Sequence, residues 1–298
     1  MNQEDEIMKN ILLVILALCA IGLLAMSKTA HNITKSESIT EDTMDGVDNL
    51  TLNIQNRNGA IKLVGWDKDY LHYTITKRSN WGKDELDLVD IHVSKNQNSV
   101  DFRVEKKEKR ARVSIEIVCQ VPANLITGAV RTSNGSISVE GCNGTSELST
   151  SNGSITCTSH NGTVEASTSN GSIRLSHLAA ARASTSNGKI VITDVPNVLT
   201  AKTSNGSIYA EVSSISQDTS FRTSNGSITL AISETIDADI SAHTSNSKIS
   251  IDDLDVRVQS LSRNSFKGSV GSGGPIITAS TSNGKIKLRA LSQSEKLY

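Results

Sequence analysis

Aromatic side chains are nearly missing from this 298-residue chain, at 3% of its residues. Compact enzyme cores usually draw on more large side chains. The core is therefore expected to be narrow and built from Ile, Val, Leu and Ala. Proline occurs only three times. Net charge is also missing: the formal value is -1, so there is no global pull toward nucleic acid, and none is expected as a partner. Cysteine is sparse. Cys119, Cys142 and Cys157 are an odd count outside the apolar N-terminus, which argues against a disulfide framework. Cys157 reads as a small buried hydrophobe, with a Cys142–Cys157 bridge as the alternative. The six histidines have no metal-ligand spacing, and no cofactor motif is present.

Long apolar runs are absent except for one. "ILLVILALCAIGLLAM", Ile11 to Met26, is uninterrupted over 16 residues, slightly short of the roughly 20 that span a bilayer. Glu4, Asp5 and Glu6 precede it, whereas an export signal begins with positive charge. Cys19 somewhat resembles a lipoprotein box, but Leu18 stands where a small residue belongs. Residues 11–26 are expected to be an uncleaved transmembrane anchor after a tail over 1–10, and 27–47 a flexible polar stalk.

What is abundant is one hexapeptide. "TSNGSI" starts at Thr132, Thr150, Thr168, Thr203 and Thr223, and "NGKI" variants start at Thr185 and Thr281. The expected corners are Asn134-Gly135, Asn152-Gly153, Asn170-Gly171, Asn187-Gly188, Asn205-Gly206, Asn225-Gly226 and Asn283-Gly284, with Asn246 followed by Ser247 in the glycine place. The first four steps between markers are 18, 18, 17 and 18 residues. Apolar residues fall two and four places after each marker, as in Ile155 and Cys157 or Ile173 and Leu175. That spacing is a strand with one buried face. Minor corners "CNGT" and "HNGT" lie halfway between. The pattern predicts an all-β, parallel β-solenoid over 122–290, with coils of about 18 residues stacked about 4.8 Å apart. Glycine is expected to supply a positive-φ corner, and the asparagines to form a hydrogen-bonded ladder. "FKGSV" with Gly268 reads as one degenerate unit, and coils are expected to stack in chain order to a polar tail over 291–298.

Residues 48–121 also read as strands, without the 18-residue rhythm, and are expected to form a β-rich cap with first coils. Asn58-Gly59 resembles an early marker, and "KNQNS" a hairpin turn. "NGAIKLVGWD", the charged strands, "VPANL" and the serial "TSNGSI" units together resemble a bacterial and archaeal domain family of unknown function that carries an adhesin label. The resemblance covers about residues 48–290. It implies a β-solenoid tethered to or exported through a membrane, and no catalytic residues.

Reactive constellations are sparse. Calcium-binding nonapeptide rolls share the period of nine, but they need a carboxylate in each unit, and these corners carry Ser, Thr and Asn. Asp252, Asp253 and Asp255 read as a solvated loop. Glu147 and Glu165 lie 18 apart and are expected to stack as two outward residues; they are also the first candidates for glycan chemistry. "RVEKKEKRAR", Arg103 to Arg112, reads as a solvated hairpin, with contact to anionic polymer or lipid headgroups as the alternative. Asn32 and Asn49 are the better glycosylation sequons. The expectation is a non-catalytic, membrane-tethered module on the extracytoplasmic side of the cell envelope, adhesive or structural, meeting a surface glycan or envelope protein. An envelope stress or regulatory docking protein, and a glycan-active enzyme, are the alternatives.

Overall fold

The computed structural model describes residues 35–291. The anchor expected over 11–26, Asn32 and all but Leu291 of the tail lie outside them. Among the described residues no helix is long and apolar enough to cross a membrane.

The described chain is all-β, a single sheet wound into stacked coils. It enters through β1 (Ser36–Met44), β2 (Thr51–Gln55), β3 (Ile61–Trp66) and β4 (Leu71–Ser79). After a short 3₁₀ turn at Lys83–Leu88, β5 (Val89–Lys95) and β6 (Ser99–Lys106) form the hairpin expected at "KNQNS", and β7 (Ser114–Pro122) follows. The coil strands are β8 (Ile126–Arg131), β9 (Ile137–Glu140), β10 (Ser146–Thr150), β11 (Ile155–Thr168), β12 (Ile173–Thr185), β13 (Ile190–Thr193), β14 (Asn197–Lys202), β15 (Ile208–Val212), β16 (Thr219–Arg222) and β17 (Ile228–Ile232). The last third holds β18 (Ala238–Thr244), β19 (Ile249–Asp252), β20 (Arg257–Leu261), β21 (Ser265–Val270), β22 (Ile276–Thr281) and β23 (Ile286–Ala290).

Each coil contributes one strand to each of two faces, paired in parallel with the coils on either side. From β8 to β17 the coils stack in chain order, with β11 and β12 each turning a corner to serve both faces. At both ends the order departs from the expected sequence. The coil β2/β3 lies between β6/β7 and β8/β9. The last coil in the chain, β22/β23, lies between β16/β17 and β18/β19. The first and last coils are thus interior. Antiparallel strands finish the stack: β4 and then β1 beyond β7, β5 beyond β6, and β21 and then β20 beyond β18.

Two expectations change accordingly. Residues 36–44, read as stalk, form β1 along the whole of β4. "FKGSV" is no coil: Gly268 sits in β21, where a Cβ would meet the Phe266 ring and the Arg257 carbonyl at 2.7 Å. Residues 48–121 contain two parallel coils, β2/β3 and β6/β7, beside the antiparallel strands β4 and β5.

The core is as narrow as the lack of aromatics implies. One column holds an isoleucine on every coil: Ile117, Ile61, Ile137, Ile155, Ile173, Ile190, Ile208, Ile228, Ile286 and Ile249 pair in series. All but Ile249 are buried. Ile249 stands on the outermost coil, with a neighbour on one side only. Full burial is worth about 1.5–3 kcal/mol for each. Across the core, Ala166, Ala183 and Ala201 keep the faces close. Cys119, Cys142 and Cys157 are buried free thiols rather than a bridge, and burial pushes Cys142 up to about 11 and Cys157 up to about 12.

Candidate functional site

The repeated hexapeptide, or a close variant, builds one corner of every coil from β8/β9 onward, and its letters have separate duties. The threonine points inward. Thr150, Thr168, Thr203 and Thr223 are buried, and each Oγ1 donates to the glycine carbonyl of the preceding coil at 2.9–3.1 Å. Asn56 holds this place on β2/β3 and reaches the Ile115 carbonyl at 2.8 Å. The glycine is required by close approach, not by the expected positive φ. Of the corner glycines aligned with these units, only Gly59 has a positive φ, 121°. At Gly135, Gly153, Gly171, Gly188, Gly206, Gly226 and Gly284 a Cβ would lie 1.7–1.9 Å from the stacked glycine's carbonyl oxygen.

The asparagine points outward. Asn152, Asn170, Asn187, Asn205, Asn225, Asn283 and Asn246 are exposed, and each donates its Nδ2 to the Oδ1 of the asparagine one coil nearer the cap, at 2.7–2.8 Å. The ladder lies on the solvent side, where the amides are occupied by one another. All its bonds point the same way. Asn134 accepts the last of them, and its own Nδ2 has no acceptor among the described residues. The donor end of a polarised amide chain therefore meets the cap.

That end opens into a cleft of about 1130 Å³. The basic run supplies one wall. It is not the expected hairpin: it leaves β6 on one face and turns to β7 on the other. Lys106 donates to the Ala111 carbonyl at 2.7 Å, and Lys107 pairs with Asp90 at 2.9 Å. The opposite wall comes from distant sequence. Arg57, on the β2/β3 corner, lies beside Asn58 and Asn134, and the turn after β4 brings Trp81. The Arg112 guanidinium stacks 4.0 Å over the Trp81 ring. Arg78 is held by Glu116 and Glu37, both at 2.8–2.9 Å, which raise its already high pKa. Among the described residues no carboxylate lines the cleft. Among the described residues Lys35, Arg57 and Lys109 form no ion pair. Sequence reasoning found the basic run but missed Arg57 and Trp81. The alignment of "NRNG" with the marker was the available signal for Arg57; Trp81 left none.

Other expected groups fall as follows. Glu147 and Glu165 are stacked and exposed, and Glu147 is taken by Arg131 at 2.6 Å. Asp252 pairs with Lys287 at 2.8 Å, and no metal-holding cluster occurs among the described residues. His177 is exposed near Asp194 at 3.3 Å. His160, in the minor corner "HNGT", is buried. Its Nε2 lies 2.8 Å from the Gly144 carbonyl and 3.1 Å from Ser146 Oγ, while Nδ1 has no partner. Burial lowers its pKa, partly offset by the Gly144 carbonyl. Asn49 is exposed in a left-handed turn at φ 58°.

Fold and corner chemistry define a class: an all-β protein of parallel stacked coils closed by antiparallel strands. Within that class the chain belongs to the Toastrack DUF4097 family, whose model matches residues 27–289. No curated protein matches it. Among solved structures, the chain is similar to a candidate cell adhesion protein from Clostridium sporogenes, at 10% identity over 86% of this chain and 100% of that one, with TM-score 0.28. It is also similar to candidate adhesins from Bacteroides fragilis (12%, 86% and 98%, 0.41) and Parabacteroides distasonis (10%, 84% and 97%, 0.39).

Proposed function

We propose that the chain is a non-catalytic module held on the extracytoplasmic side of a membrane by residues 11–26, acting as an adhesive or structural element of the cell envelope. The observation that carries this reading is how the side chains are used. The motif written most often is consumed by the fold: Thr bonds Gly, Asn bonds Asn, and Ile fills the core. The glutamates closest to a catalytic pair, Glu147 and Glu165, lie side by side on an outward face, with Arg131 on one. The apolar run supports tethering.

The test is protease access to an epitope tag placed after Tyr298, compared in whole cells, spheroplasts and lysed membranes. Digestion in whole cells or spheroplasts is expected. Digestion only after lysis would place the module in the cytoplasm and end the adhesive reading.

A docking role for another protein is a second reading, favoured by β20. Among the described residues this edge strand pairs only with β21; it is exposed throughout and presents Val258 and Leu261, 54% and 59% exposed. A stable co-purifying envelope protein, lost when Val258 becomes Lys, would favour it.

A further inference from the structure

We propose that the cap cleft is a binding site for the headgroups of anionic phospholipids, docking the cap end onto the membrane that anchors the chain. The inference rests on the tethering reading above. Its first support is distance. Lys35 lines the cleft, and only eight residues separate it from Met26. Even fully extended, that segment spans at most about 30 Å, so the cleft cannot stand far from a bilayer entered at Met26. The second support is charge. Among the described residues the walls carry cations and no carboxylate. Two of these cations, Arg57 and Lys109, are exposed and form no ion pair among the described residues. Any anionic surface attracts basic groups beside a membrane anchor.

The third support is the mixed chemistry of the opening. Trp81 is 52% exposed, and indole rings favour the membrane–water boundary, where the ring meets acyl chains and the N–H meets headgroups. Ile39, on the same end of the stack, is 63% exposed on edge strand β1. The fourth is the ladder. Asn134 closes it at the cleft wall with donor hydrogens to spare, adding a dipole of the sign that suits phosphate oxygens. Cations, an interfacial aromatic and a polarised donor converge on one opening, close to where the chain meets the apolar run.

The experiment uses the full chain reconstituted into vesicles of phosphatidylcholine alone or with phosphatidylglycerol, followed by tryptophan emission and by quenching from headgroup-proximal brominated lipid. The Trp81→Phe variant isolates the Trp81 signal from that of Trp66. With phosphatidylglycerol, Trp81 is expected to shift to the blue and be quenched, and added salt is expected to reverse both changes. In phosphatidylcholine neither change is expected. The Arg57→Gln, Lys109→Gln double variant is expected to lower the docked-to-free ratio about thirtyfold, each cation near an anionic surface being worth about a factor of five. Equal quenching in both vesicles, or an unchanged ratio in the double variant, would overturn the proposal. So would a Trp81 response to soluble polygalacturonate in phosphatidylcholine vesicles without one to phosphatidylglycerol, which would assign the cleft to an acidic polymer. Flotation separates the two readings: a chain that fails to float with phosphatidylcholine vesicles refutes the anchor, while one that floats but shows no lipid-dependent signal refutes only the cleft.

Discussion

A glycine can be demanded by backbone angle or by space, and this chain contains clean examples of each. Gly171 has an ordinary φ, but its missing Cβ would lie 1.8 Å from the Gly153 carbonyl oxygen. Gly82 has φ 105° with nothing near its Cβ position. Gly171→Ala must therefore push two coils apart and is expected to cost about 3 kcal/mol, the upper range for overpacking. Gly82→Ala meets only backbone strain: φ 105° with ψ 168° is a region open essentially to glycine alone, at an expected cost of about 2 kcal/mol. Urea midpoints of the two variants check this, and equal losses would refute the spatial account. Ser247 stands in the glycine place without a positive φ, so Ser247→Gly would relieve no backbone strain there. His160 poses a different residue-scale demand. Its ring stays neutral in the fold because burial lowers its pKa below the ordinary 6.5, and a second proton would fall on a buried Nδ1 with no acceptor. The unfolded ring titrates near 6.5. Between that pH and the lower folded value, the unfolded state holds the extra proton, so stability falls as pH drops, by at most about 1.4 kcal/mol per unit. Above pH 6.5 the ring is neutral in both states and contributes no slope. Urea unfolding at pH 7, 6 and 5 is expected to show this decline in the native chain and a flatter one in His160→Gln. Identical slopes would assign the acid sensitivity elsewhere.

The ladder belongs to the scale of the element, because its polarity emerges only from the series. Each interior asparagine both donates and accepts, whereas Asn134 only accepts within the ladder. Asn187→Asp removes the donor to Asn170 and sets a carboxylate against its Oδ1, an expected loss of about 1–2 kcal/mol. Asn134→Asp keeps the acceptor and strengthens it with charge, so stability is expected to stay within about 0.5 kcal/mol. Comparable losses at both sites, measured by thermal unfolding, would mean that the ladder has no fixed direction. The coil itself was legible in the sequence. Apolar residues two and four places after each marker, as at Ile173 and Leu175, can be buried together only on one face of a strand, and every coil from β8 to β17 obeys that pattern. The cleft was half legible. The run Arg103 to Arg112 is visible as charge, but whether it turns back as a hairpin or crosses between faces depends on the partners of β6 and β7, which no local pattern encodes. Trp81 is a single aromatic in a turn, and only the path of β4 carries it to Arg112.

At the scale of the whole molecule, the order of coils is what the repeat concealed. Identical corners make any two coils compatible neighbours, so "TSNG" fixes the register of stacking without fixing which coil stacks on which. Asn246 bonds Asn283, and Asn283 bonds Asn225, though chain order would have joined Asn246 to Asn225. The consequence is mechanical. A solenoid wound in chain order frays from its termini, since the last coil has one neighbour. Here β22 and β23 have parallel partners on both sides, as do β2 and β3. The exposed edges fall instead to β1, β5, β19 and β20, none of which belongs to the first or the last coil. For a chain loaded through an anchor, this hides the terminal coils from direct peeling. Native-state hydrogen exchange is therefore expected to run against chain order. Amides of Ile277–Leu288 should exchange more slowly than those of β19 and β20, although they lie nearer the C-terminus. The same inversion is expected at the cap, with Leu52 and Leu63 slower than Ile39. Exchange that is fastest over β22 and β23 and slows steadily toward the middle of the chain would show coils wound in simple succession, and would remove the interlocked ends from the fold.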